Sequence, residues 1–428
     1  MPDLKSMYKT VMDDHFPEEM RISLGSITLS YRKRSWVMGD NPEEKVRKGL
    51  RYGENPGQEA ALYELVDGNL ELGGCSFIQP GNGLVSCLSE EGMLQFGKHP
   101  GKINLTDIDS ALNALRYFEE RPAAMIMKHN NPSGASYGVS AAEAYDRANA
   151  ADRLAAFGGA VVFNVGVDQE AAELLGQNYL EVVAAPDFTG GALDCLKTRK
   201  NLRVIKIERL DRIRQYADRR FLDFKSLLDG GLIVQQSPLN RVRGAEDFLP
   251  AEWRGKDGTL VKVERGPTEQ EKADLLFAWQ IEQGVTSNSV LFVKNGTSVA
   301  IGAGEQDRVG VAEIAIFKAY KKKADDLSFR QFGCLFFELE AREKAGDAPR
   351  GSAAAVRRQA EEIKGGLIGS AAASDAFFPK RDGIDALAKQ GVSAVIQPGG
   401  SLADREIIEA INQEKMTMVF TGQRAFKH

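Results

Sequence analysis

The stretch Ala123-Ala124-Met125-Ile126-Met127-Lys128-His129-Asn130-Asn131-Pro132-Ser133-Gly134 joins an apolar run, two ionisable side chains and a cluster of turn formers. Residues 123–127 have the length and composition of a strand buried on both faces. Asn130 to Gly134 is turn chemistry. Neighbours within a strand point to opposite faces. Lys128 and His129 can therefore serve one site only if the backbone leaves strand geometry there, and the residues that follow supply the means. Sites in open α/β sheets gather at strand carboxyl ends. An imidazole moves protons near neutral pH, and an adjacent ammonium can stabilise a developing oxyanion. The competing reading is a satisfied histidine beside a surface lysine.

Upstream, Thr106-Asp107 opens a helix with Ile108, Leu112, Leu115 and Phe118 on one face, and Pro122 ends that unit. Downstream, Ser140 with Glu143 forms a capping box for a helix running through Ala144 and Ala148 towards Ala156. Phe157-Gly158-Gly159 then leads into a strand over 160–163. A similar order recurs later. Thr268 and Glu271 cap a helix that Gly284 stops, and Asn288-Ser289-Val290 begin a hairpin with Asn295-Gly296 as its turn and 298–301 as its return strand. Ser374-Asp375-Ala376-Phe377-Phe378-Pro379 precedes a helix and a strand over 393–396. Between 311 and 364 lies a helix-rich stretch dense in Ala, Lys, Glu and Arg, whose Lys321-Lys322-Lys323 reads as a solvated face. At the front, Ile22, Leu24, Ile27, Leu29 and Tyr31 predict a hairpin broken at Gly25, followed by a solvated Arg32-Lys33-Arg34. Turn-rich residues 51–58 lead into a strand over 60–66. The expected architecture is α/β: an extension over 1–45, one unit over 46–228, a second over 229–310 and 371–428, and a helical insertion over 311–370.

The 428 residues exceed what a single core usually organises. With 43% hydrophobic and 27% charged residues the composition is that of a soluble globular protein. A net charge of −5 argues against a general nucleic-acid binder or a membrane-surface protein. No apolar run approaches the roughly 18 residues of a membrane span. The opening Met1-Pro2-Asp3-Leu4-Lys5 lacks a basic-then-apolar pattern, so a cytoplasmic location is expected. Four scattered cysteines without a Cys-x-x-Cys pair, and only four histidines, lead us to expect no metal site. Gly302-Ala303-Gly304 begins like a dinucleotide fingerprint, but Asp307 stands where the third glycine belongs. A tight turn presenting Arg308 to an anion uses the same residues better, with a surface salt bridge as the plain alternative. Zinc-deaminase, nucleophile-elbow and phosphate-loop motifs are absent from the sequence.

Ordered matches from about residue 48 onward carry a family resemblance. They are Arg51-Tyr52-Gly53-Glu54-Asn55-Pro56, residues 128–134, Ala156-Phe157-Gly158-Gly159, residues 230–235, Ser287-Asn288-Ser289, Gly302-Ala303-Gly304, residues 374–379, residues 397–401 and the tail Arg424-Ala425-Phe426-Lys427-His428. The chain resembles the 5-aminoimidazole-4-carboxamide ribonucleotide (AICAR) transformylases, the formyltransferase domain of bifunctional purine-biosynthesis proteins, without the IMP cyclohydrolase domain. The resemblance implies two duplicated cytidine-deaminase-like units lacking zinc, and a homodimer with active sites at the subunit interface. It implies 10-formyltetrahydrofolate as co-substrate, AICAR as acceptor, and a separate cyclohydrolase in the pathway.

By the same resemblance His129 is the general base on the nucleotide's 5-amine, Lys128 the oxyanion stabiliser and Asn288 the group that positions the substrate. Arg51, Tyr52, Lys200, Arg308 and Arg424 match nucleotide-binding positions, chiefly for the phosphate, and Phe157, Gly158, Glu181, Phe377, Phe426 and His428 match others in that pocket. Leu154, Phe157, Pro379 and Asp382 are implied for the folate. Without the motifs, Phe377 and Phe426 read as core aromatics, Glu181 as an edge carboxylate and His428 as a frayed terminus. The sequence departs from the family pattern at Gly57 and at Lys427, both often histidine in relatives. Two further readings stay open: a catalytically silent nucleotide-binding relative acting as scaffold or sensor, and an enzyme using another acyl donor or amine acceptor.

Overall fold

The strand expected over 123–127 forms as Ala123–Lys128 and is buried along all but its last residue. The computed structural model describes residues 4–38 and 46–428. Residues 1–3 and 39–45, on which parts of the expected extension and its boundary fall, lie outside the described residues. Ala123–Lys128 turns back at once into Asn131–Tyr137, with Lys128 opposite Asn131 and Tyr137 opposite Ala123. Between them His129 and Asn130 have φ of 56° and 59°. Two consecutive positive φ values mark the primed two-residue hairpin turn, whose twist matches its flanking strands. The turn is therefore two residues long, and the turn formers Asn131 to Gly134 lie in the return strand. Pro132 and Gly134 are accommodated by a register shift between them. Gly134 also lets a helix approach: a Cβ there would sit 2.0 Å from the Ala148 carbonyl oxygen.

That helix is Ala141–Ala151, with Ser140 Oγ accepting from Glu143 N at 3.2 Å. The Glu143 carboxylate returns to Val139 N, at 2.6 Å, one residue before the cap. The helix stops short of Ala156 because Asp152 has φ of −158° and caps a separate short helix, Arg153–Ala156.

The chain packs as two compact units. One combines residues up to Leu112 with Ala160–Leu239, and the other combines Asn113–Gly159 with Asn240–His428. In the second, the sheet order is Leu249–Pro250, Thr417–Phe420, Ala394–Gln397, Ala371–Ser374, Val290–Lys294, Thr297–Gly302, Asn131–Tyr137, Ala123–Lys128. Ala371–Ser374, Ala394–Gln397 and Thr417–Phe420 are parallel, and each is buried throughout, as parallel strands covered on both faces must be. Val290–Lys294 and Thr297–Gly302 form the expected hairpin, turned by Asn295 and Gly296 at φ of 52° and 66°. Helix Glu269–Glu282 carries both halves of its capping box, Glu271 N to Thr268 Oγ1 and Thr268 N to Glu271 Oε2. The core gathers Val290, Phe292, Phe378, Ile384, Leu387, Val395, Ile407 and Ile411. Each such side chain, fully buried, contributes about 1.5–3 kcal/mol.

The expected insertion consists of helices Arg308–Phe332, Phe336–Ala345 and Ser352–Glu362. Its lysine run is solvated only in part, with Lys321 exposed. Lys322 is buried and pairs with Asp152 at 2.8 Å, and Lys323 pairs with Asp326 at 3.2 Å. Asp152, remote in sequence and invisible to a local reading, sets the burial of Lys322.

In the first unit Ala160–Phe163, Val182–Ala185 and Arg203–Lys206 run parallel, and Met93–Gln95 pairs antiparallel with the last. A separate antiparallel sheet joins Glu19–Leu24, Ile27–Arg34 and Leu62–Gly68, with Gly25 turning the hairpin at φ of 62°. Lys33 and Arg34 were expected in solvent, yet Lys33 pairs with Asp14 at 3.0 Å and Arg34 with Glu64 at 3.0 Å. Helix Lys102–Leu115 starts earlier than Thr106, because Asn104 Oδ1 takes up the Gly101 N–H at its entrance. The architecture is mixed α/β.

Candidate active site

In the second unit, three stretches far apart in sequence are tied together around the His129 turn. The Lys128 ammonium donates to the Phe157 carbonyl at 2.7 Å, and His129 is exposed at the tip. Asn131 Oδ1 accepts from Thr286 N at 2.9 Å, linking the hairpin to the segment before Asn288. The C-terminal tail joins both: Lys427 Nζ donates to the Asn130 carbonyl at 3.1 Å and to the Gly284 carbonyl at 3.0 Å. The tail backbone also pairs with Ser287, whose N–H donates to Lys427 O at 2.9 Å and whose hydroxyl accepts from Lys427 N at 3.2 Å.

Beside this cluster lies a buried polar network. Arg308, the first residue of its helix after the cap Asp307, turns its guanidinium inward. Nη1 donates to Asp375 Oδ1, to the Ser289 carbonyl at 2.9 Å and to Ser374 Oγ at 3.1 Å, while Nη2 donates to Asn288 Oδ1 at 2.8 Å. Asn288 Nδ2 donates to the Gln306 carbonyl at 2.9 Å, so the amide is held at both ends. Asp375 has no exposed surface, and its second carboxylate oxygen accepts from Ser287 Oγ at 2.5 Å. The anion expected at Arg308 is therefore Asp375, inside the protein. The guanidinium also orients Asn288. Glu282 is also fully buried; Oε2 accepts from Ser289 Oγ at 2.6 Å, and Oε1 has no hydrogen-bond partner among the described residues. Burial, then the neighbouring Asp375, holds its carboxyl well above its ordinary range.

The residues expected to line the ligand pockets divide. Phe377 and Phe426, core aromatics on a plain reading, are each 36% exposed. Arg424 lies 4.7 Å over the Phe426 ring, and His428 stands edge-on to the same ring at 5.8 Å. Ala425 N donates to the Asp375 carbonyl at 3.0 Å, which brings the tail to the 374–379 stretch. Phe157 is exposed and Gly158, at φ of 74°, turns the chain after it. Leu154 lines a cavity of about 570 Å³ with Phe317, Tyr320, Phe336 and Phe337, which Phe157, Pro379 and Asp382 do not share.

The first unit has a polar centre of its own. Arg51 is buried, with Nη2 donating to the Tyr52 hydroxyl at 3.1 Å and its guanidinium 4.5 Å over the Tyr52 ring. Arg203 is 1% exposed and donates through Nη1 to the Glu181 carbonyl at 3.2 Å and to Oε2 at 3.4 Å. Burial, then the like charge of Arg51, pushes Arg203 down to about 10. Glu181 is shared with Asn104, whose Nδ2 donates to Oε2 at 3.0 Å. Two buried guanidinium groups thus lie close enough for their like charges to interact, and Glu181 pairs with Arg203, which favours an anion nearby. His99 adds no positive charge: burial pushes its imidazole down to about 4, and Nε2 meets the Gly49 carbonyl at 2.6 Å. Lys200, exposed, lines a separate cavity of about 240 Å³ with Tyr179 and Arg199.

The family model described as the AICARFT/IMPCHase bienzyme matches residues 26–318. The chain belongs to the AICARFT/IMPCHase bienzyme family. Relatives named bifunctional purine biosynthesis protein PurH include that of Persephonella marina, 35% identical over 97% of this chain and 62% of its own length. That of Aquifex aeolicus is 36% identical over 90% of this chain and 60% of its own length, and that of Chlorobaculum parvum 35% identical over 94% and 64%. The chain thus spans about three fifths of the length of these curated relatives.

Three residues in this member of the AICARFT/IMPCHase family escaped the sequence reading as site components: Asp375, Arg203 and Lys427. The first two carry a usable signal. Each is a charged residue next to an apolar strand, where burial demands an opposite charge from elsewhere. Lys427 carries none, because its partners are backbone carbonyls. Among the described residues no group of three or more His, Cys, Asp or Glu is placed to hold a metal ion. No helix among them is long and apolar enough to cross a membrane.

Proposed function

We propose that the chain transfers the formyl group of 10-formyltetrahydrofolate to the 5-amino group of AICAR, giving formyl-AICAR and tetrahydrofolate in de novo purine (IMP) biosynthesis. The observation that carries this reading is the convergence of residues 128–131, 284–288 and 424–428, three family motifs, on one turn of the second unit. The acceptor amine is a poor nucleophile because the neighbouring carboxamide withdraws its electrons. His129, exposed at the turn, takes its proton as the new N–C bond forms. Lys128 spends one of its three donors on Phe157, which leaves two for the oxyanion of the tetrahedral adduct on the formyl carbon. Asn288, held by Arg308 and Gln306, fixes the carboxamide and amine in attack geometry. Arg51, Tyr52, Lys200, Arg308 and Arg424 bind the nucleotide, chiefly its phosphate, and Phe157, Gly158, Glu181, Phe377, Phe426 and His428 surround the rest of it. Leu154, Phe157, Pro379 and Asp382 bind the folate.

We propose further that the protein is a cytoplasmic homodimer with active sites at the subunit interface. Two duplicated cytidine-deaminase-like units, bounded as expected at 46–228 and at 229–310 with 371–428, complete the reading. The support is a repeated succession along the chain: a helix, an antiparallel hairpin, helical segments, then three parallel strands alternating with helices.

Purified protein mixed with AICAR and 10-formyltetrahydrofolate is expected to yield formyl-AICAR and tetrahydrofolate without added metal. Nucleotide binding with no turnover would establish a silent relative instead. His129→Ala is expected to cost about 10²–10⁴-fold in kcat, and a loss below about threefold would remove His129 as general base.

A further inference from the structure

We infer that Lys427 is a positioning residue that braces the turn carrying His129 through the Asn130 carbonyl. The inference rests on the formyl-transfer reading only for the role of His129; the brace itself is geometric. Lys427 Nζ lies 3.1 Å from the Asn130 carbonyl and 3.0 Å from that of Gly284, so one ammonium spans the hairpin and the segment leading to Asn288. Charge-assisted hydrogen bonds of this kind are roughly twice as strong as neutral ones. The lysine is itself held from behind. Its N–H and carbonyl both engage Ser287, and the Ser287 hydroxyl is anchored on the buried Asp375. The brace is therefore set before any ligand arrives.

The turn needs such a hold. His129 and Asn130 both occupy the left-handed region, which residues with a side chain leave readily for extended or right-handed backbone. The Asn130 carbonyl belongs to the peptide by which the turn enters its return strand. Fixing that oxygen opposes flattening of the turn, and so keeps the His129 ring aimed at one place. An alkyl side chain at position 427 would leave the two carbonyls without their shared cation.

Wild type, Lys427→Met and Lys427→Arg provide the test. In Lys427→Met, kcat is expected to fall about tenfold while KM for AICAR stays within about threefold, the split expected when a reacting group is mispositioned and not lost. Lys427→Arg, which keeps the charge and several donors, should recover most of the rate. Backbone amide exchange, followed by mass spectrometry, should rise in peptides covering residues 129–131 of Lys427→Met and stay unchanged in helix Glu269–Glu282. A raised KM with unchanged kcat would overturn the inference and make Lys427 a tail anchor only. Unchanged exchange at the turn would overturn it as well. If wild type transfers no formyl group, the functional reading fails, and the exchange comparison still decides whether the brace exists.

Discussion

Arg308 stands at the start of its helix with its guanidinium against Asp375, a carboxylate that solvent does not reach. A buried pair of this kind gains little over an apolar packing of the same volume, but breaking it leaves a lone charge that has lost its water. Asp375→Asn is accordingly expected to lower stability by about 3–5 kcal/mol, measured by urea unfolding. A loss under about 1 kcal/mol would mean that Arg308 finds its counter-charge elsewhere, and that its hold on Asn288 does not depend on Asp375. The motif Gly302-Ala303-Gly304 pointed correctly to a turn before Arg308, with Gly304 at φ of 73°. What it could not show was where the guanidinium would aim. That direction is decided by a carboxylate 67 residues further on.

At the scale of the element, the hairpin 123–137 shows how a turn of two residues places chemistry. The buried strand and the departure from strand geometry at Lys128-His129 were legible because apolar length and turn formers are local signals. The return strand through Asn131-Pro132-Ser133-Gly134 was not, since those residue types argue against a strand unless a neighbour compensates. Here the compensation is the helix Ala141–Ala151, which presses on Gly134 so closely that a Cβ would meet the Ala148 carbonyl at 2.0 Å. Gly134→Ala must push the helix off the strand, and overpacking of this sort costs about 1–3 kcal/mol or more. Thermal unfolding of the variant should show that loss, with reduced formyl transfer through the displaced hairpin. A variant of wild-type stability would show that helix and strand can separate at no cost.

At the scale of the whole molecule, a titration couples the buried network to the fold. Glu282 is held protonated by burial and by Asp375, above its ordinary 4.5, while the same group in the unfolded chain ionises normally. Below about pH 4.5 both states carry the proton and its contribution is fully present. As pH rises the unfolded state alone releases it, so stability falls by up to about 1.4 kcal/mol per pH unit until the raised folded value is reached. The urea midpoint of wild type should therefore drop relative to Glu282→Gln as pH rises above the ordinary carboxylate value. Parallel curves for the two proteins would sink the assignment of a neutral Glu282. The sequence by itself determined the α/β class, the capped helices at Ser140 and Thr268, the Asn295-Gly296 hairpin and the motifs that identify the family. All of these are written in local pattern, where spacing, capping and turn chemistry act over a few residues. Tertiary structure alone decided which partners the charged side chains meet. Lys322 with Asp152, Arg203 with Glu181, Arg308 with Asp375 and Lys427 with two carbonyls are each made by residues remote in sequence. The physical reason is that desolvation and ion pairing depend on distance in space, and a linear pattern carries no such distance.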